Sequence, residues 1–245
     1  MKFFLAPMQG LTGYTVRNAF HHHFDYIDKY YTPFIPAAKR MNAKIKRDID
    51  PVNNDGITLI PQAMSIVADE VIDLHRQLVP YGYDEINVNL GCPSGTVVSK
   101  KRGSGILAYP DILHSFLDEL YTKADFPVSI KTRVGFNDDE LWPRLIEIYS
   151  KYPISELTVH PRVQKDFYKN TPRMDDFALA VQKINPDKTT LCYNGDITDT
   201  NSFNALTDCF PDIDEIMIGR GLFANPALIA ELKGISLSLI HISEP

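Results

Sequence analysis

Residues 128–162 read VSIKTRVGFNDDELWPRLIEIYSKYPISELTVHPR. A short run rich in Val, Ile and Thr ends at Arg133. After it, Glu140 to Tyr149 brings apolar residues back every three or four positions, and a second short run spans Glu156 to Arg162. This order is the pattern of strand, crossover helix and parallel strand. The same pattern recurs on both sides. Further candidate strands are FFLAP (3–7), YIDKYYTP (26–33), TLIPQAM (58–64), EINVNLG (85–91), TLCYNGD (190–196) and EIMIGRG (215–221). Amphipathic stretches lie between them at Val67 to Leu78, Pro110 to Tyr121 and Met174 to Ile184.

About eight such units in a chain of 245 residues fit a (β/α)8 TIM barrel of parallel strands, in the α/β class, better than a doubly wound sheet. The candidate strands start apolar and finish with Met8, Gln62, Asn89, Lys131, Arg133, His160, Arg162, Asn194 and Arg220. In a barrel the C-terminal strand ends form one face, so these side chains are expected to converge on a single mouth. Any one of them alone would more often satisfy a loop or a helix end, but their recurrence favours one polar pocket. YNGDI and IGRG, after the seventh and eighth strands, place glycines and backbone N–H groups where barrels hold a phosphate.

Composition narrows the class. A hydrophobic fraction of 44% permits a substantial core, and Pro and Gly mark no linker, so one domain is expected. No run approaches a membrane span, and MKFFLAPMQG is too short in its apolar part for a secretory signal, so the reading is a cytoplasmic protein. Cys92, Cys192 and Cys209 are far apart and form no Cys-x-x-Cys pair, which argues against a disulfide framework and a zinc site. A net charge of −6 opposes nucleic-acid binding over the whole surface. The cations nevertheless cluster in AAKRMNAKIKR (37–47), SKKRGSG (99–105) and PRVQKDFYKNTPR (161–173), all following candidate strands, with Phe167 and Tyr168 interleaved in the last. Each alone would be a solvated loop; together they outline a basic rim around the mouth. Gly103 to Gly105 reads as a mobile loop able to close over it.

APMQGLT (6–12), NVNLGCPS (87–94), IKTR (130–133), VHPR (159–162), YNGDI (193–197) and IGRG (218–221) together resemble the tRNA-dihydrouridine synthases, flavoenzymes built on an FMN-binding barrel. The resemblance runs from about Phe4 to Leu228, and Asn-x-Gly-Cys-Pro is its most specific element. It implies reduction of selected tRNA uridines to 5,6-dihydrouridine, with FMN bound and NADPH as reductant. It implies that Cys92 gives a proton to C5 of the uracil while hydride reaches C6 from flavin N5. A thiol with an ordinary pKa of about 8.5 suits a donor at neutral pH. By the same resemblance Ala6, Pro7, Met8, Gln62, Lys131 and His160 face the flavin ring, and Asn194, Gly195, Asp196, Gly219 and Arg220 hold its ribityl phosphate. Asn89 and Arg133 are expected to hold the target uracil; Arg162, Lys100, Lys101 and Arg102 are expected at the RNA.

Pro161 stands where many relatives have glycine. Members of the family usually continue into a helical RNA-gripping domain, whereas only about 25 residues follow the eighth strand here. The expected organisation is therefore a catalytic barrel over 1–234, a tail of foreign character over 235–245 and no C-terminal helical domain, in a monomer without metal. Two other readings remain: an FMN barrel acting on a small molecule, which would leave the basic rim unexplained, and a non-catalytic RNA-binding barrel.

Overall fold

The computed structural model describes residues 1–24, 26–37 and 40–235. The stretch expected as a tail lies, from 236 onward, outside the described residues, as do two positions of the first basic cluster. Ten strand segments, all parallel, occur in the order β1 (Lys2–Leu5), β2 (Lys29–Tyr31), β3 (Ile35–Pro36), β4 (Leu59–Ile60), β5 (Gln62–Met64), β6 (Ile86–Leu90), β7 (Val128–Gly135), β8 (Glu156–Val163), β9 (Thr190–Tyr193) and β10 (Glu215–Ile218).

Pairing proceeds from β5 through β6, β7, β8, β9 and β10 to β1, then to β2 and β4. β4 and β5 flank Pro61, which has no N–H for a ladder but whose carbonyl accepts from Asn87. With Leu59–Met64 as one strand bent at that proline, and β3 a two-residue side bridge on β5, eight strands close a (β/α)8 barrel. The helices Ala68–Leu78, Pro110–Lys123, Trp142–Tyr149 and Met174–Lys183 fall where the sequence periodicity places them.

Strand residues alternate between two environments, as a pleat of period two requires. Val88, Ile130, Val159 and Ile216 join the large apolar layer between strands and helices, whereas Phe4, Ala6, Tyr31, Ile60, Cys192 and Met217 form a separate small cluster. The latter residues alternate with the helix-facing ones and so occupy the barrel interior. The rest of the interior is polar: Gln62 donates to Asn87 (2.8 Å), Asn87 to Ser129 (3.0 Å), and Thr158 to Glu156 (2.8 Å). The expected gradient from apolar strand start to polar strand end therefore needs correction. On β6, β7 and β8 polar side chains run the length of the interior, on every second residue, and the apolar residues between them face the helices.

The segment Gly103–Ala108 also corrects an expectation. Rather than an exposed flap, it is a 3-10 turn with Gly103, Ser104 and Gly105 buried. Gly103 has φ +54, and a Cβ there would lie 2.7 Å from the Cys92 carbonyl oxygen. The glycine permits close backbone approach beneath the cysteine loop.

Candidate active site at the barrel mouth

The strand ends surround a cavity of about 540 Å³, within the size range of small-molecule sites. Ala6, Pro7 and Met8 form one wall, Gln62, Asn89 and Cys92 the next, Lys131, Arg133 and His160 a third, and Asn194, Gly195, Asp196, Gly219 and Arg220 close the ring. The structure thus brings together all but four of the residues named from the sequence. It adds Gln9 and Leu11, which lie in the APMQGLT stretch but carry no assigned role, Phe34, which lies in no motif, and Phe167 and Tyr168 from the third basic cluster.

The cavity is strongly cationic. The Lys131 ammonium has no hydrogen-bond acceptor among the described residues, and burial, with Arg133 nearby, pushes its pKa down to about 7. Burial and the surrounding Arg133, Lys131, Arg162 and Arg220 hold His160 well below the ordinary histidine value. Arg162 Nη1 lies 3.1 Å from His160 Nε2. Since a guanidinium can only donate, Nε2 accepts, and the neutral ring carries its proton on Nδ1. The Cys92 thiol has its pKa raised by burial, an effect that the Ser94 backbone, Arg133 and Lys131 only partly offset. It is a protonated thiol at neutral pH.

Two arginines do more structural work than the sequence implied. Arg162 is 1% exposed. It grips Asp196 with both terminal nitrogens and donates to the carbonyls of Lys169 and Asn170. No RNA phosphate can reach it, and the expected RNA contact is corrected to an internal strut beneath His160. Arg133 lines the cavity but gives Nε to Gly91 O (3.0 Å), Nη1 to Val163 O (2.9 Å) and Nη2 to Phe167 O (2.6 Å), leaving two N–H groups for a ligand. Asp196 carries a second partner, Arg220 (2.8 Å), which is half exposed and also packs over the Tyr168 ring at 5.0 Å. Burial works to raise the Asp196 carboxyl, but Arg162 and Arg220 hold it below the usual carboxylate range.

The first wall is joined to the last by close packing: a Cβ on Gly219 would meet Ala6 Cβ at 3.4 Å and Met8 sulfur at 3.8 Å. Lys100, Lys101 and Arg102 do not line the cavity. Lys100 and Lys101 are exposed on the loop beyond Cys92, whereas Arg102 is paired with Glu70 at 3.1 Å. Among the described residues no group of His, Cys, Asp and Glu side chains could hold a metal ion, and no helix is long and apolar enough to cross a membrane.

A closed parallel barrel whose C-terminal mouth gathers cations, a protonated thiol and exposed aromatics defines a (β/α)8 protein with a single-mouthed ligand site. The comparisons with known proteins narrow that class. The family model described as dihydrouridine synthase (Dus) matches residues 4–241, and the chain belongs to that family. It is similar to the tRNA-dihydrouridine synthase B of Pasteurella multocida (strain Pm70), 26% identical over 243 residues that cover 96% of this chain and 69% of that protein. It is also similar to a probable tRNA-dihydrouridine synthase of Staphylococcus aureus (strain N315), 33% identical over 154 residues covering 61% of this chain and 46% of the relative. The chain therefore spans between about half and two thirds of these relatives' length. Among solved structures it superposes on morphinone reductase with a TM-score of 0.63 at 12% identity, over 97% of this chain and 87% of the other, a likeness of fold.

Proposed function

We propose that the chain is the catalytic barrel of a flavin-dependent tRNA-dihydrouridine synthase, reducing the C5–C6 double bond of a uridine. The observation that carries this reading is a thiol kept protonated at the mouth of a cavity whose inner wall presents Lys131, an amine without an acceptor among the described residues. The residues present fit FMN. Lys131 offers a positive charge to an electron-rich ring edge, the Ala6 to Met8 turn offers a flat wall, and Gly195, Gly219 and Arg220 leave backbone and guanidinium for a phosphate. Bound flavin supplies the hydride for C6 of the uracil, with NADPH as the outside source of electrons.

The chain's own residues do the rest. Cys92 donates the thiol proton to C5, completing addition of one hydride and one proton across the double bond. Its raised pKa keeps that proton available at neutral pH, and Lys131 and Arg133 ease formation of the thiolate left behind. Asn89 holds the loop that carries the thiol, since its Oδ1 accepts from the backbone N–H of Gly91 and of Cys92. A uracil stacked in RNA cannot offer its ring to both a flavin and a thiol, so the nucleotide enters flipped out. Lys100 and Lys101, exposed beyond Cys92, and the aromatic faces of Phe167 and Tyr168 support a nucleic acid at the rim.

The test combines a spectrum with one substitution. The purified protein should show a flavin absorption spectrum that bleaches with NADPH under anaerobic conditions and recovers on addition of unmodified tRNA. Cys92→Ala should keep the flavin and its bleaching while dihydrouridine formation falls at least about 100-fold, the scale of losing a general acid. Undiminished product from Cys92→Ala would overturn the proton-donor role, and failure to bind FMN would overturn the cavity assignment.

A further inference from the structure

The backbone around Cys92 has an unusual hydrogen-bond account. Its polar groups are caught by side chains from four separate elements rather than left to solvent. Asn89 on β6 takes the N–H groups of Gly91 (3.1 Å) and Cys92 (2.8 Å). Arg133 on β7 donates to the Gly91 carbonyl, and Ser104 in the 3-10 turn donates its hydroxyl to the Cys92 carbonyl at 2.8 Å. The third successive carbonyl, that of Pro93, accepts Nε2 of Gln164 at 2.8 Å. Pro93 has no N–H, so the account from Gly91 to Pro93 is complete.

Gln164 lies inside the third basic cluster, as Ser104 lies inside the second, and the sequence assigns it no role of its own. It follows β8 directly, is 8% exposed, and does not line the cavity. Its amide therefore faces protein, not ligand. The turn it begins also carries Phe167, whose φ of +50 is held in place by its carbonyl on Arg133 and its N–H on the Gln164 carbonyl. Gln164 thus ties the aromatic side of the mouth to the loop bearing the thiol, across 71 residues of sequence.

We infer that Gln164 is a positioning residue for the reduction, fixing the reach of the Cys92 thiol over the cavity through the Pro93 carbonyl. Removing the amide donor leaves that carbonyl unpaired and lets the 92–94 segment rotate away, a displacement small in distance and large in rate. The inference rests on the proton-donor reading of Cys92, so its test includes a readout that needs neither flavin nor tRNA.

Gln164→Met keeps length but removes the donor, and Gln164→Ala admits water to the carbonyl, so that at least one should retain the fold. In a Cys209→Ser background, with sites resolved by mass spectrometry, Cys92 in either variant should react with iodoacetamide about three- to tenfold faster. Its pH midpoint should fall toward that of an unperturbed thiol as burial is relieved. Product formation should show kcat about tenfold lower with KM for tRNA and flavin content unchanged. Wild-type alkylation rate and midpoint in both variants would overturn the inference. If alkylation changes while kcat does not, and Cys92→Ala is fully active, the thiol is positioned but unused, and the catalytic part of the inference fails with the proton-donor reading.

Discussion

The two ends of the barrel interior hold charge in opposite ways. At the floor, formed by strand starts, Glu156 receives Lys29 (2.7 Å), Tyr31 (2.7 and 2.9 Å) and Thr158 (2.8 Å), and is 2% exposed. Burial works to lower the Lys29 ammonium, yet Glu156, with Glu85 and Glu215, raises it. At the mouth, Lys131 has no hydrogen-bond or ion-pair partner among the described residues, and burial wins. A buried charge with its counter-ion is a structural element; a buried charge without one is a standing cost, and it persists where a ligand supplies the missing partner. The two arrangements sit on neighbouring strands: Glu156 starts β8, and Lys131 on β7 pairs with Thr158 only two residues further along.

The largest expected effect breaks the floor. Glu156→Leu removes the carboxylate and leaves the mostly buried Lys29 ammonium and the buried Tyr31 hydroxyl without their shared acceptor, which should cost about 3 kcal/mol of stability. Denaturant unfolding should show it as a lower midpoint with unchanged slope, while flavin binding per folded molecule stays the same.

At the mouth the same kind of change should act with opposite sign. Lys131→Met should weaken flavin binding by about 30-fold, near 2 kcal/mol, yet make the flavin-free protein more stable by about 1 kcal/mol. Because the folded-state pKa of about 7 lies below the unfolded value of 10.5, the folded protein binds fewer protons between them. The lysine's unfavourable contribution is fully present below pH 7 and fades as pH rises toward 10.5. The variant's advantage should therefore be greatest in acid and vanish toward pH 10.5. A uniform destabilisation of Lys131→Met would mean that the mouth is held together by this charge, and the contrast between the two ends would collapse.

That contrast was only half visible in the sequence. Motifs at strand ends, such as Asn89 to Pro93 and Asn194 to Asp196, marked the mouth because polar residues and glycine interrupt an apolar run. The floor was silent: Glu156 and Glu215 look like the solvated first residues of strands, and only barrel closure brings Glu156 to Lys29 and Tyr31, more than a hundred residues away in the chain. Arg162 was misread for the same reason, since Asp196 lies beyond the next strand. Pattern identifies which residues point inward; it carries no information on which of them neutralise one another.

A third charged site, outside both ends, sharpens the comparison. Asp176, in the first turn of the helix Met174–Lys183, has its carboxyl pushed up to about 7 by burial and by Asp139, with Asp175 adding to the effect and Arg173 opposing it. Arg173 is itself shared between Asp139 (3.1 Å) and Asp166, and so cannot neutralise Asp176 fully. Asp176 does not line the mouth cavity, so its uncompensated charge should matter for stability and not for ligand. The folded pKa lies above the ordinary carboxylate value, so the folded state binds the extra proton between about pH 4 and 7, and stability falls as pH rises through that window. Asp176→Asn removes the titration. It should match the parent near pH 4 and exceed it by about 1 kcal/mol at pH 8, a shift of roughly 2–4 °C in thermal midpoint, with flavin affinity unchanged. If instead flavin affinity follows the same pH window and loses it in the variant, the carboxylate pair is coupled to the mouth through Arg173 and Asp166, and the line drawn between structural and ligand-facing charge must move outward to include it.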